Sequence, residues 1–460
     1  MKNKFSNIYF VGIGGIGMSA IARYFKASGY NVAGYDRTRT EVCTNLEKEG
    51  IQIHYEDNMN FVGSYFKDPS TTLVIYTPAI PKDHKELTFF MENGFTVIKR
   101  AAALGKLCEK KNCLAIAGTH GKTSISTITS CIMVHTKERC SAFLGGISKN
   151  FMSNLHLDVD SRNVVVEADE YDRSFLQLTP STALISHLEA DHLDIYGDYE
   201  TMEAAFVEFA NRTTSKGNVV VGPKIPSEIV ARFRNDLKVY TYGIDNAECK
   251  FYASNVTYSN GLCLFDIHTP FGVIEGIKFK IGGRHNIENA VGATAVAMLN
   301  GATAEDVRSG LEMFAGVLRR FDIHVQNEKC IYIDDYAHHP GEISAFLTAV
   351  KQLYPTKKIT AIFQPHLYSR TKDFYMDFAE SLSVCDNLVL LPIYPARELP
   401  IEGVTSQLIY DNCKAENKIM CEKSELLALL EKLNPELVVT MGAGDIDRFV
   451  KPITDLFRSR

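Results

Sequence analysis

The sequence lacks several features that would assign it to a familiar class of protein. No C-x-x-C pair occurs among its 11 cysteines, which speaks against a zinc site or a disulfide framework and favours reduced thiols. No apolar run is long enough to cross a membrane, and the first residues lead into a strand-like run rather than a signal peptide. With 49 basic and 55 acidic residues, the net charge of -6 argues against general nucleic-acid binding. We therefore expect a cytoplasmic protein whose partners are neither nucleic acid nor membrane.

What is present is an ordinary globular composition in a chain too long for one hydrophobic core. Hydrophobic residues make up 45% and charged residues 23% of the 460 residues, which predicts two or three domains. Short apolar runs alternate with helical stretches, which is typical of α/β domains with parallel sheets covered by helices. The strand-like runs are Ile8–Val11, Leu73–Tyr76, Leu114–Ala117, Val164–Val166, Ala183–Ile185, Ile331–Ile333, Ile359–Phe363, Leu388–Leu391 and Leu437–Thr440.

Three segments are predicted, with boundaries that place residues 1–104, 105–317 and 318–460 in separate domains. The first two segments each contain a glycine-rich turn after a strand. Residues 239–281 of the middle segment are rich in strand-forming residues and suggest an antiparallel insert, followed by a helix over residues 287–299. The third segment again alternates strand and helix.

The most specific motif is the stretch Gly-Thr-His-Gly-Lys-Thr at residues 118–123. It follows an apolar strand and precedes a run that is compatible with a helix, which is how a phosphate-binding loop is built. Lys122 is then expected to reach the β- and γ-phosphates, and Thr123 to ligate Mg²⁺. The spacing differs from the usual P-loop because only two residues separate the glycines.

A second glycine turn, Gly-Ile-Gly-Gly-Ile-Gly at residues 12–17, follows the first strand and leads into a helix. Asp36 comes at the end of the next strand, where an acidic residue meets a ribose in dinucleotide-binding folds. The turn itself indicates a diphosphate, which NAD, FAD and a UDP-sugar all carry.

Acidic residues follow two strands of the middle segment. Residues 164–166 lead into Glu167-Ala-Asp169-Glu170, and residues 183–185 lead into a stretch that includes Glu189 and His192. The carboxyl ends of strands face the ligand crevice in open α/β sheets. Carboxylates beside a phosphate loop suit Mg²⁺, and the imidazole of His192 favours a second metal position or Mn²⁺.

Several other polar stretches are candidates for binding loops. One opens an otherwise apolar helix at residues 282–289, where it is also compatible with a simple helix cap. The others lie in the last segment and are Arg319-Arg320-Phe321, residues 334–340, residues 364–370 and residues 442–445.

Together these motifs resemble the Mur ligases of peptidoglycan synthesis, over essentially the whole chain. The stretches at 118–123, 167–170, 189–194 and 285–289 carry the resemblance to the family. The first glycine turn, Arg319-Arg320-Phe321, the Asp-Tyr-Ala-His-His-Pro stretch and Gln364-Pro365-His366 narrow it to the branch that adds L-alanine.

The resemblance implies three α/β domains and an ATP-dependent ligase of peptidoglycan precursor synthesis, and hence of cell wall biogenesis, cell shape and cell division. A Rossmann-like N-terminal domain would bind the UDP part of UDP-N-acetylmuramate, and a central P-loop-type domain with a parallel sheet would bind ATP. A Rossmann-like C-terminal domain would close over the site and hold L-alanine. Mg²⁺ is the implied metal, with Mn²⁺ as a substitute, and the implied state is a monomer or a weak homodimer.

Residue roles follow from the resemblance by position. The implied ATP-binding residues are Gly118, Thr119, His120, Gly121, Lys122, Thr123, Ser124, His285 and Asn289. The implied UDP-sugar residues are Gly12, Gly14, Gly15, Gly17 and Asp36, and the implied metal ligands are Thr123, Glu167 and His192. Tyr336, His338 and Arg370 are implied for the amino acid, and Lys122, His192, Arg320 and His338 for catalysis.

Three positions depart from what is common in the family. His187 stands where Asn is frequent, and Leu367 stands where many alanine-adding members have Arg, which leaves Arg370 as the main cation for the alanine carboxylate. Phe206 occupies about the position at which other Mur ligases carry a carbamylated lysine, so no carbamylated lysine is expected.

The expected reaction begins with attack of the lactyl carboxylate on the γ-phosphate of ATP, which gives an acyl phosphate, and continues with attack by the amine of L-alanine. Either His338 or His192 is the general base. The rival hypotheses are a ligase that attaches a recycled tripeptide to the same sugar nucleotide, an NAD-dependent oxidoreductase suggested by the first glycine turn alone, and an ATP-dependent switch without ligation.

Overall fold

A computed structural model of the chain describes residues 4–81, 83–189, 193–259, 261–396 and 398–459. The chain forms two compact units: residues to 254 with 266–275 and 288–315, and residues 255–265 with 276–287 and 316 onwards. The residues in these ranges form three separate sheets. No described helix is long and apolar enough to cross a membrane. The predicted domain boundaries after residues 104 and 317 stay predictions.

The first sheet is parallel throughout and has the order β3-β2-β1-β4-β5. Its strands are β1 (Asn7–Val11), β2 (Asn31–Tyr35), β3 (Gln52–His54), β4 (Thr72–Tyr76) and β5 (Thr96–Lys99), and its helices are α1 (Ile16–Ala27), α2 (Glu41–Lys48), α3 (Lys85–Glu92) and α4 (Arg100–Cys108). Strand order reverses between β1 and β4, and the glycine turn follows β1. Ligands bind at such a switch point in open α/β sheets.

The second sheet has ten strands in the order β15-β14-β13-β12-β11-β10-β6-β9-β7-β8. The strands are β6 (Asn112–Ala117), β7 (Ser141–Ser148), β8 (Ser153–His156), β9 (Asn163–Glu167), β10 (Thr182–Ile185), β11 (Asn218–Val221), β12 (Lys238–Ile244), β13 (Phe251–Ser259), β14 (Leu262–Thr269) and β15 (Gly272–Phe279). Its helices are α5 (Lys122–Met133), α6 (Leu193–Tyr196), α7 (Tyr199–Asn211), α8 (Ser227–Val230), α9 (Arg284–Met298) and α10 (Ala304–Glu312).

Part of the predicted antiparallel insert is parallel. Strand β12 pairs in parallel with both β11 and β13, so the main sheet continues into the segment that strand propensity alone marked as an insert. The predicted helix over residues 287–299 is present, but it begins at Arg284 because the polar residues before Ile287 form its first turn.

The third sheet has the order β16-β17-β21-β18-β19-β20, with only β16 antiparallel to its neighbour. Its strands are β16 (Asp322–Gln326), β17 (Ile331–Asp335), β18 (Ile359–Phe363), β19 (Asn387–Leu390), β20 (Asn417–Met420) and β21 (Leu437–Met441). Its helices are α11 (Pro340–Leu353), α12 (Tyr368–Leu382), α13 (Gln407–Asn412), α14 (Leu426–Leu433) and α15 (Val450–Arg458).

The central strands form because they are continuous apolar runs rather than alternating ones. Strand β18 reads ITAIF and β21 reads LVVTM, and every residue of both strands is buried. Parallel strands covered by helices on both faces have this composition. Each strand-like run of the sequence lies within or overlaps an observed strand, so the α/β prediction is confirmed.

Candidate active site

Three neighbouring strands bring the phosphate loop and the acidic turns to one edge of the second sheet. Strand β6 lies between β9 and β10, and register pairs Ile116 with Glu167 and Ala117 with Ile185. All three strands run in the same direction, so their carboxyl ends meet. The sequence motifs at 118–123, 167–170 and 186–189 therefore share one edge.

The loop after β6 has the backbone that an anion-binding turn requires. Gly118 has φ +128° and Gly121 has φ +81°, both of which disfavour a side chain. Gly121 is the N-cap residue of α5, and no side chain caps this helix end. The first backbone N–H groups of α5 and its dipole are thus suited to hold phosphate oxygens.

Lys122 is held inside this loop. Its ammonium donates to the Gly118 carbonyl and to Glu170 Oε1, each at 2.7 Å. Its side chain is 15% exposed and that of Glu170 is 1% exposed. Burial lowers the pKa of Lys122, but the carboxylates of Glu170 and Glu167 more than offset this, and the net pKa is raised. The lysine is therefore charged beside the loop.

The predicted metal ligands are only partly within the described structure. Glu167 ends β9, and its Oε2 accepts a hydrogen bond from Gly145 N at 3.1 Å. Thr123 lies in the first turn of α5. His192 lies outside the described residues. Over the described ranges, no group of three or more His, Cys, Asp or Glu side chains is placed to hold a metal, and the metal site stays a prediction.

The turn after β10 supports the phosphate loop from the other side. Ser186 Oγ donates to the carbonyls of His120 and Ala117, and Thr119 N donates to the His187 carbonyl at 3.0 Å. The imidazole of His187 lies 3.7 Å from the carboxylate of Glu288.

The two predicted nucleotide residues of α9 have different surroundings. A Cβ at Gly121 would lie 2.6 Å from Asn289 Oδ1, so Asn289 directly adjoins the phosphate loop. His285 belongs to the second compact unit, and burial lowers the pKa of its imidazole to about 4. His285 is therefore neutral near pH 7.

The first glycine turn is organised by Asp36. One carboxylate oxygen of Asp36 accepts from Gly14 N at 2.8 Å and the other accepts from Thr38 N at 3.1 Å. Asp36 thus has a structural task in the turn, in addition to the ribose contact that the sequence predicts. Gly12 has φ +88°, and Gly15 is the N-cap residue of α1, again without a capping side chain.

Arg100 lies between the first glycine turn and the acidic residues that follow β9. No sequence motif pointed to this arginine. A Cβ at Gly17 would lie 3.1 Å from Arg100 Cδ, and Arg100 donates to Asp169 Oδ2 at 2.9 Å. A cleft of about 190 Å³ is lined by Gly17, Arg100, Gly145, Glu167 and Asp169, among others. It connects the first glycine turn with the carboxyl end of β9.

Arg319 and Arg320 are adjacent but have different environments. Arg319 donates to Asp334 Oδ2 at 3.0 Å and to the Gly442 carbonyl at 2.6 Å. Arg320 makes no ion pair with any residue that the structure describes, and its guanidinium lies 5.3 Å from the ring centre of Tyr336. The guanidinium of Arg319 is held by protein acceptors, whereas no described carboxylate pairs with the guanidinium of Arg320, which could therefore interact with a ligand.

The predicted amino-acid residues occupy neighbouring loops of the second unit. The rings of Tyr336 and His338 are 5.2 Å apart, and those of His338 and His366 are 6.2 Å apart. Burial lowers the pKa of His338. The positive charges of Arg370 and Arg320 lower this pKa further, whereas the carboxylate of Glu342 raises it by less than burial lowers it. A neutral imidazole suits a proton acceptor.

Arg370 has a buried guanidinium nitrogen, Nη1, without a hydrogen-bond partner among the described residues. A buried donor of this kind is costly unless a ligand satisfies it, and a carboxylate would do so. Leu367 is the N-cap residue of α12 and has φ +72°. Phe206 is fully buried in α7 against Phe175.

Family models match three consecutive parts of the chain. Residues 7–112 match the model described as the Mur ligase family catalytic domain, residues 116–297 the Mur ligase middle domain, and residues 319–444 the Mur ligase glutamate ligase domain.

Curated relatives match over nearly the whole length. The UDP-N-acetylmuramate–L-alanine ligase of Porphyromonas gingivalis (strain ATCC BAA-308 / W83) is 47% identical over 97% of this chain and 98% of its own. The protein of the same name from Flavobacterium psychrophilum is 47% identical over 97% of each chain.

Solved structures share the fold. The UDP-N-acetylmuramate–alanine ligase of Thermotoga maritima has a TM-score of 0.82 and 27% identity over 98% of this chain and 99% of its own. A murein peptide ligase of Psychrobacter arcticus has a TM-score of 0.70 at 19% identity over 98% of each chain, which shows the fold alone. The resemblance that the motifs indicated is confirmed, and the chain belongs to the Mur ligase family.

Proposed function

We propose that this chain joins L-alanine to the lactyl carboxylate of UDP-N-acetylmuramate, with conversion of ATP to ADP and phosphate, in peptidoglycan precursor synthesis. Full-length relatives at 46–47% identity carry this activity in their names. The observation that carries the proposal is the charged Lys122 ammonium, held in a glycine loop at a helix start beside the carboxyl ends of β9 and β10. We expect the protein to act in the cytoplasm.

The phosphate loop would bind the triphosphate. The backbone N–H groups at the start of α5 would donate hydrogen bonds to the phosphate oxygens, and Lys122 would neutralise charge that builds up during phosphoryl transfer. Thr123 and Glu167 fit a hard cation because both offer oxygen ligands at this sheet edge, and His192 is the third proposed ligand. Mg²⁺, with Mn²⁺ as a substitute, would supply further charge neutralisation at the phosphates.

The first glycine turn would hold the diphosphate of the sugar nucleotide at the start of α1. The cleft beside Arg100 leads from that turn to Glu167, so it offers a path for the muramyl group towards the phosphate loop. The lactyl carboxylate attacks the γ-phosphorus there, and the bond from phosphorus to the bridging oxygen of ADP breaks.

The C-terminal residues would receive the amino acid. Arg370 pairs with the alanine carboxylate, because its buried Nη1 has no hydrogen-bond partner among the residues that the structure describes. His338, whose pKa is lowered, takes the proton from the alanine ammonium, with His192 as the alternative base. Arg320 neutralises charge on the transferring phosphate. The amine then displaces phosphate from the acyl carbon.

The test is phosphate release from MgATP with UDP-N-acetylmuramate and single amino acids. Release that requires both the sugar nucleotide and L-alanine supports the proposal. Release with a tripeptide in place of alanine would assign the chain to the recycling reaction instead. Release without any amino acid would indicate an ATP-dependent switch, and no release at all would refute the ligase.

A further inference from the structure

Glu170 is the closest side-chain partner of the phosphate-loop lysine. Its Oε1 accepts from Lys122 Nζ at 2.7 Å, and its Oε2 is buried without a hydrogen-bond partner among the described residues. The Glu170 backbone is also fixed, because the Tyr196 hydroxyl donates to its carbonyl at 2.6 Å. A single carboxylate oxygen therefore holds the lysine, and the other has no hydrogen-bond partner in the part of the chain that the structure describes.

Glu170 differs from the proposed metal ligand Glu167 in the direction of its carboxylate. The carboxylate of Glu167 is nearer the strand end and is held by Gly145 N, while Glu170 is turned towards the lysine. Lys122 has three protons, and its contacts are Glu170 Oε1, the Gly118 carbonyl and, at 3.5 Å, the Thr119 carbonyl. All three contacts keep the ammonium against the loop.

We propose that Glu170 is a positioning residue for phosphoryl transfer, on the basis of the function proposed above. Its carboxylate balances the Lys122 charge before ATP binds and sets the direction of the ammonium when the γ-phosphate arrives. A buried lysine without this partner would have several side-chain conformations available. Misplacing a catalytic group by about 1 Å costs on the order of 10²-fold in rate.

Loss of the Glu170 charge has two opposite consequences. Nucleotide affinity is retained or increases, because a negative charge near the phosphates is removed and Lys122 no longer has a competing partner. The rate of phosphoryl transfer falls, because the ammonium is no longer directed. A residue that only stabilised the loop would instead weaken nucleotide binding when replaced.

The experiment compares Glu170→Gln and Glu170→Asp with the control Asp172→Asn in the full chain. Asp172 pairs with Lys99 at the same distance of 2.7 Å, two residues further along. Both members of that pair are partly exposed, and such pairs contribute little. Asp172 has φ +53°, which Asn tolerates. The control removes the same charge without touching Lys122.

Three quantities are measured for each variant: kcat for phosphate release with UDP-N-acetylmuramate and L-alanine, the ATP dissociation constant by displacement of a fluorescent nucleotide, and the thermal midpoint. For Glu170→Gln we expect kcat to fall about 10²-fold while the ATP dissociation constant is unchanged or lower. Glu170→Asp, which keeps the charge, should recover part of kcat. Asp172→Asn should match the unmodified protein.

An unchanged kcat in Glu170→Gln refutes the proposal, and so does a raised ATP dissociation constant. If Glu170→Gln does not fold, the same two criteria apply to Glu170→Asp, for which we expect a reduced kcat and no loss of nucleotide affinity. Absence of turnover in the unmodified protein would refute the proposed function, and the ATP dissociation constants would then decide the role of Glu170 by themselves.

Discussion

The adjacent residues Arg319 and Arg320 should respond differently to the same substitution. At position 319 it should lower the stability of the fold, and at position 320 it should lower the reaction rate. Arg319→Met removes the cation beside Asp334, whose side chain is 0% exposed. After the substitution the remaining side-chain partner of that carboxylate is the Thr440 hydroxyl. Arg320→Met removes a charge that has no ion-pair partner among the described residues.

The expected loss of stability can be bounded. Breaking a buried ion pair by removing one partner costs about 3–5 kcal/mol. Asp334 can limit the cost by taking up a proton, and burial already raises the pKa of this carboxyl even though Arg319 opposes the shift. With an unfolded-state pKa of about 3.9, protonating a carboxyl costs about 4 kcal/mol at pH 7 and about 2 kcal/mol at pH 5.5.

The sign of the pH dependence follows from the raised pKa of the Asp334 carboxyl. A carboxyl whose folded pKa is raised leaves stability intact below its unfolded pKa, and stability is lost as the pH rises towards the folded pKa. Removing Arg319 raises the folded pKa of Asp334 further. The penalty of Arg319→Met is therefore larger at pH 7 than at pH 5.5.

The assay is thermal unfolding at both pH values, followed by kinetics. A unit of this size shifts its midpoint by roughly 2–4 °C per kcal/mol, so Arg319→Met should lower the midpoint by about 10 °C at pH 7 and by about half as much at pH 5.5. The double variant Arg319→Met/Asp334→Asn should recover most of the loss, because no buried charge then remains.

Arg320→Met should keep the midpoint within about 2 °C and lower kcat by about 10²–10³-fold. If the thermal midpoint of Arg319→Met at pH 7 lies within 2 °C of that of the unmodified protein, Arg319 does not stabilise the buried Asp334 carboxylate. Equal kinetic losses in both variants at permissive temperature would contradict the division of roles.

Three further predictions concern the first unit. Lys122→Ala should lower phosphate release by at least about 10²-fold with an unchanged circular dichroism spectrum, and more than a tenth of normal turnover would contradict the loop assignment. Gly118→Ala should weaken ATP binding at least about tenfold and lower the thermal midpoint, because Gly118 has φ +128° and a Cβ would lie 2.8 Å from Ser186 N. Gly341→Ala, where a Cβ would meet nothing within 4 Å, is the control, and equal behaviour of the two variants would be the contrary result. Burial raises the pKa of Glu86 to about 7, so the unmodified chain should lose stability as the pH rises from about 4.3 through 7. Glu86→Gln should show a smaller difference in thermal midpoint between pH 5 and pH 8, and an identical pH dependence would disprove this.

Local patterns in the sequence were sufficient for the fold class and for the family. Runs such as LVVT before the glycine of residue 442 predict buried strands, because an apolar run of that length bounded by a turn has few other stable environments. The loop at 118–123 was recognisable because glycine, lysine and threonine follow one another at a strand end. Such motifs lie within a few consecutive residues, and the chain brings them together without any distant contact.

The pairing of β12 shows where local patterns were insufficient. Strand propensity predicted the strand, but its parallel direction depends on which neighbours it meets, and a single segment carries no information about that. The roles of Arg319 and Arg320 are a second example. Both residues are arginines, and only the fold places Asp334 against Arg319.

By itself, then, the sequence determined the α/β class, the positions of the strand-like runs it singled out and membership of the family, because each depends on residues close together in the chain. The tertiary structure decided which side chains act on one another: Glu170 on Lys122, Arg100 on Asp169, and Asp36 on Gly14. These pairs are 22 to 69 residues apart. The physical reason is that hydrogen bonds and ion pairs depend on distances that only the packed sheets and helices establish.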